Sequence, residues 1–186
     1  MRAFLDRLYR LSGGLAALFI VAITLLVFAQ VLLNLVDRLA KLFTGTALGL
    51  TIPSYSDFTG FFLAAASFLA LAYTLQAGEH IRINLITSRL PARLQTLFEI
   101  SSVAIALALT LYMSGYMFLM VKEAWQYHDM SSGVIAMPLW IPQSSLVLGL
   151  AVLALALFDN LVLLIQGKPA RYTRTDNDPL AQRGGE

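Results

Sequence analysis

Four apolar stretches, each long enough to cross a bilayer, decide most of what this chain can become. They run over residues 11–36, 58–77, 97–121 and 140–165. A helix needs about 20 residues to cross a hydrocarbon core of about 30 Å. Inside that core no water pairs with backbone N–H and C=O groups, so each stretch must close its hydrogen bonds internally as a helix. The expected fold class is an all-α membrane protein. Residues 1–167 form a four-helix transmembrane domain, and residues 168–186 form a polar tail that reads as disordered. Composition agrees, since 58% of the 186 residues are hydrophobic and 13% are charged, against about 25% charged in a soluble domain. Arg2, Arg7 and Arg10 give the first stretch the look of a secretory leader. It is longer than the roughly 7–15 apolar residues of a leader and lacks a clean cleavage pattern, so it reads as a true span.

Orientation follows from the basic residues, which collect in cytoplasmic loops. Ten of the 13 Lys and Arg residues fall on one side. They are Arg2, Arg7 and Arg10, then Arg82, Arg89 and Arg93, then Lys168, Arg171, Arg174 and Arg183. Arg38, Lys41 and Lys122 fall on the other. Both termini are expected in the cytoplasm. The stretch "GEHIRINLITSRLP" is then the cytoplasmic hairpin between helices 2 and 3. Its Ile86 and Leu90, continued by Leu94 and Leu97, recur at helical spacing, as do Arg82, Arg89 and Arg93. Such a segment lies in the interface with its apolar side down and its arginines towards the phosphates of anionic phospholipid. Pro91 suits the first turn of helix 3. The far loops carry Trp125, Tyr127 and Trp140 as an outer aromatic belt. The first helix is expected to continue to about Phe43 before Gly45 and Gly49 break it, with Ser54 or Ser56 capping helix 2.

The chemistry that the chain excludes is as informative. With no cysteine, it has no disulfide, thiol nucleophile or iron–sulfur ligand. Its two histidines, His80 and His128, fall on opposite sides of the membrane and cannot clamp one haem or one metal ion. His80 reads as an interfacial anchoring residue beside the arginines. No nucleophile–base pair, phosphate-binding glycine loop or nucleic-acid signature is present, so neither an enzyme nor a cofactor carrier is expected. Glu99 and Asp159 are acids within spans, which are costly and often functional. Both lie towards the cytoplasmic side. Structural pairing with Arg89, Arg93 or a partner subunit is favoured over a proton or cation pathway, because acids on one side give no route across. Gln30 and Asn34 read as hydrogen-bonding contacts between helices. Two ladders of small residues repeat every four positions: Ala66, Ala70, Thr74 and Gly78 in helix 2, and Ser102, Ala106, Thr110 and Ser114 in helix 3. Such rows let helices approach closely in lipid, and the expectation is that helix 2 packs on helix 3.

These pieces resemble a known family. The four spans, the pattern "LALAYTLQAGEHIRINLITSRLPARLQTLFEI" and the outer segments "GYMFLMVKEAW" and "MPLWIPQSSLVLGLAVL" are similar to the small, DctQ-type membrane subunit of tripartite ATP-independent periplasmic (TRAP) transporters. Gly78, His80, Ile81 and Ile83 stand where that family closes helix 2, and Leu90, Pro91 and Arg93 match its next motif. Gly115, Trp125, Pro138 and Trp140 match its helix 3 exit and helix 4 entry. The chain departs from the family pattern at Tyr55, Ser56 and Asp57 and at Asn84. The resemblance implies a scaffold subunit with no cofactor or substrate site of its own. Its partner would be a large, sodium-coupled, elevator-type permease subunit in the inner membrane. A periplasmic binding protein would supply that permease with an organic acid such as a sialic acid or a dicarboxylate. Two other classes stay open on the residues alone: an accessory or assembly subunit of another membrane complex, and a self-sufficient transporter or channel.

Overall fold

In the computed structural model, residues 2–77 and 91–167 are described, without the side chains of residues 2, 3, 92 and 93. The described residues form four helices: α1 (Arg2–Thr44), α2 (Tyr55–Ala77), α3 (Ala92–Tyr127) and α4 (Trp140–Ile165). All four are long and apolar enough to cross a membrane. At 1.5 Å per residue they measure about 65, 35, 54 and 39 Å. Helices α1 and α3 therefore outreach a hydrocarbon core of about 30 Å and must tilt or project from it. The α1 helix runs one residue beyond the expected Phe43. It stops where Gly45 and Gly49 take φ of +76° and +69°, a left-handed backbone that glycine alone adopts without penalty.

The helices stand in a row. Helix α1 packs on α2, α2 on α4, and α4 on α3, while α1 only grazes α4. The expected packing of α2 on α3 is therefore corrected: α4 lies between them. Close backbone approach explains why. A Cβ placed on Gly149 of α4 would come within 2.6 Å of the Phe68 backbone carbonyl, so α2 and α4 cross where only glycine fits. At the other contact, a Cβ on Gly13 of α1 would meet Tyr73 of α2 at 2.7 Å. Lipid tails are as apolar as leucine, so tight contacts of this kind, rather than water exclusion, hold spanning helices together. Two small clusters fill the seams. Val103 of α3 packs with Leu157 and Leu164 of α4, supported by Ile100, Ala106 and Leu107. Tyr9, Ala72 and Ala156 join α1, α2 and α4 near one end.

That end, where α2 stops and α3 begins, is the hairpin end; the other, which carries the α1–α2 and α3–α4 loops, is the loop end. The hairpin proposed from sequence, with Gly78, His80, Arg82 and Arg89, lies outside the described residues, as do the Arg93 side chain and the tail.

Candidate functional site

The polar groups of a chain this apolar show where it makes specific contacts. Gln30, about three-quarters of the way along the first expected span, is buried with 4% exposure. Its Nε2 donates to Asn34 Oδ1 at 3.2 Å and to Thr51 Oγ1 at 3.0 Å, and its Oε1 accepts from the Ile52 N–H at 2.8 Å. Two turns further on, Asp37 accepts the Gly49 N–H at 2.7 Å. Gln30 thus holds the α1–α2 loop back along α1, with Asn34 bonded to it within the helix, rather than the two joining helices, which corrects the sequence reading. The physical reason is simple: an extended loop against a helix carries unpaired amide groups, and Gln30 and Asp37 satisfy two of them.

The α3–α4 loop is held from the α2 side. His128 ends α3 in a left-handed conformation (φ 56°), and the Asp129 N–H returns to the Ala124 carbonyl at 3.0 Å. Met130 and Pro138 then form an antiparallel bridge, with the Ser131 N–H donating to the Met137 carbonyl at 2.8 Å. Ser54 turns out not to cap α2 with its side chain. Its hydroxyl accepts the Ile135 N–H at 2.9 Å, while its backbone carbonyl receives Asp57 and Phe58. Gly133 rests against Asp57 and Ser54 so closely that any side chain there would collide with them. The two loops and the start of α2 therefore form one interlocked end, flanked by Trp125 and Trp140 edge to face at 4.7 Å.

Within the spans, polar side chains mostly turn to their own helix. Thr74 donates to the Ala70 and Leu71 carbonyls, Thr110 to Ala106, Ser102 to Glu99, and Asn160 to Ala156. An exception is Ser12, whose hydroxyl crosses from α1 to the Leu69 carbonyl of α2 at 2.5 Å. Asn160 is fully buried in α4. Its neighbour Asp159 and Glu99 of α3 are both half-buried and both engaged by partners. Arg89 and the Arg93 side chain, their expected partners, lie outside the described residues. Of the two ladders, Ala66 and Thr110 are buried, Ala70, Thr74, Ala106 and Ser114 half-buried, and Ser102 exposed. Ala106 faces the α3–α4 cluster. Among the described residues no three His, Asp or Glu side chains gather closely enough to hold a metal ion.

Sequence reasoning did not single out the Gln30 strap. A signal was there: Gln30, Asn34 and Asp37 lie at helical spacing in an apolar helix, just before a loop rich in Gly and Thr.

A family model described as "Tripartite ATP-independent periplasmic transporters, DctQ component" matches residues 39–167. No curated protein and no solved structure matches the chain.

Proposed function

Because the chain belongs to the DctQ family of tripartite ATP-independent periplasmic transporters, we propose that it is the fixed scaffold of a sodium-coupled transporter for organic acids. The large permease subunit holds the substrate and sodium sites and moves by an elevator-type motion. A periplasmic binding protein delivers the substrate, a sialic acid or a dicarboxylate being the expected kind. The family match carries this reading. The polar side chains described within the spans mostly bond to their own helix, and Gln30 to the adjoining loop, whereas a transport path needs polar groups facing a shared cavity. Both termini lie in the cytoplasm of this multi-pass inner-membrane protein, in keeping with the charge bias of its loops. Arg82, Arg89, Arg93 and His80 anchor the hairpin to anionic phospholipid or to acidic groups of the partner, while Glu99 and Asp159 are paired for stability.

The test is reconstitution. Liposomes containing this chain alone should take up no organic acid under a sodium gradient, and liposomes containing it with the large permease and the binding protein should. Uptake by the chain alone would remove the scaffold reading.

A further inference from the structure

One face of α1 passes from charged to apolar within a few turns. Arg7, Arg10, Leu11, Gly14, Leu15 and Leu18 follow at steps of three and one, all exposed, and together line a groove of about 450 Å³. The packed face of the same turns holds Tyr9, Ser12 and Ala16, all buried. Arg10 is the last charge before residues 11–36, which contain none. The groove therefore begins where the hydrocarbon core begins. From Arg7 to Leu18 it extends about 16 Å, close to half of a core about 30 Å thick. Its length is that of one leaflet.

Gly14 points the same way. Glycine inside a helix is destabilising relative to alanine, so its presence calls for a reason. Packing explains Gly13, where a Cβ would strike Tyr73. Gly14 has nothing within 4 Å of where its Cβ would stand, so the missing side chain leaves a hollow in a row of leucines. Gly60 and Gly115 are open in the same way, and openness alone selects no ligand. The charges do. The groove beside Gly60 carries Asp57, and one on α3 between Met113 and Met120 ends on Glu123. Either acid repels a phosphate. The rim above Gly14 is two arginines. Among the described residues no carboxylate pairs with Arg7 or Arg10, and Asp6, the acid nearest in sequence, is half-buried with a partner of its own.

We propose that this groove seats one anionic phospholipid of the cytoplasmic leaflet. Its phosphate lies between the Arg7 and Arg10 guanidiniums, whose forked donors match phosphate oxygens. One acyl chain runs through the hollow at Gly14, along Leu11, Leu15 and Leu18. The seat uses no residue of the hairpin. Its assignment to the cytoplasmic leaflet rests on the charge bias of the loops, whereas binding in detergent does not depend on that orientation.

The purified full chain in mild detergent is titrated with palmitoyl-oleoyl phosphatidylglycerol and read by native mass spectrometry. Phosphatidylcholine with the same acyl chains is the control. The first phosphatidylglycerol should bind about tenfold more tightly than phosphatidylcholine. Arg7→Gln together with Arg10→Gln should weaken it about 30-fold. Gly14→Leu leaves every charge in place and should weaken it about tenfold, the equivalent of roughly two unseated methylenes. Helix content and unfolding midpoint are followed in parallel, and Gly14→Leu, which meets open space, should lower neither. Arg171→Gln with Arg174→Gln removes the same charge from the tail. Equal weakening by that pair would make the attraction one of net charge and overturn the seat. Undiminished binding to the Gly14→Leu chain would overturn it too, because the phosphate contact would then act without the groove. Dissociation of a dimer by Gly14→Leu would give the groove to a second copy of this chain instead.

Discussion

Helices α1 and α3 both flank the row, yet they are attached to it by different means. Helix α1 is tied by specific contacts along its length: Gly13 against Tyr73, Ser12 to the Leu69 carbonyl, Gln30 to Thr51 and Ile52, and Asp37 to Gly49. Helix α3 meets α4 through Val103, Ala106 and Leu107 and through the Trp125–Trp140 pair, and its hydroxyls at Ser101, Ser102 and Thr110 turn back to its own carbonyls. In lipid, apolar contact supplies little net attraction by itself, so hydrogen bonds and close fits define how two helices register. The lesson is that α1 is held to the rest of the chain by hydrogen bonds and a close fit, whereas α3 is held by packing along one face.

Three substitutions test that contrast, from the strongest effect to the weakest. The largest is expected at the α1–α2 contact. Gly13→Leu drives a side chain into Tyr73 and should cost about 2–3 kcal/mol in detergent unfolding, whereas Gly115→Leu on α3, entering open space, should change stability by less than about 0.5 kcal/mol. Equal losses at the two glycines would erase the distinction between the flanks. Next comes Gln30→Leu, which leaves the Ile52 N–H without its acceptor and Thr51 without its donor. A loss of about 2 kcal/mol is expected, with faster thiol labelling of a cysteine placed at Thr46 as the loop comes away from α1. Labelling that stays slow would show that Asp37 alone holds the strap. The smallest is Ser12→Ala, at about 0.6 kcal/mol, the usual size of one interhelical hydrogen bond in a membrane protein. A loss of 2 kcal/mol or more there would make the α1–α2 contact more polar in character than its packing suggests.

Some of this was legible in the residues. Four helices followed from run length, and the last one begins and ends where the apolar run does, at Trp140 and Ile165. Other ends moved outward, since α1 begins at Arg2 instead of near Leu11 and α3 extends to Tyr127 instead of Val121. Hydropathy marks where lipid begins and ends, and a helix need not stop there. The lateral order was not legible for a different reason. A helix in water announces its inner face by contrast with its polar one. Here nearly every face is apolar, so the ladders in α2 and α3 pointed to close packing without identifying the neighbour. Gly149, which brings α4 between them, belonged to neither ladder. The family, by contrast, was legible from short motifs around Gly78, Pro91, Trp125 and Trp140, and the match over residues 39–167 agrees with them.

The row order also fixes a sequence of events during synthesis. Helices α2 and α3 are consecutive in the chain but separated in space by α4, which leaves the ribosome after both. With neighbouring helix axes about 8–10 Å apart, α2 and α3 stand about 16–20 Å apart, within reach of the 14 residues that "GEHIRINLITSRLP" provides. Until α4 arrives, α3 has no finished neighbour on its inner side, and the last of the four described helices to be made is the one that closes the row. A nascent chain arrested before residue 140 would thus hold α1 and α2 as a joined pair and α3 as a stray, so the row depends on α4 being delivered.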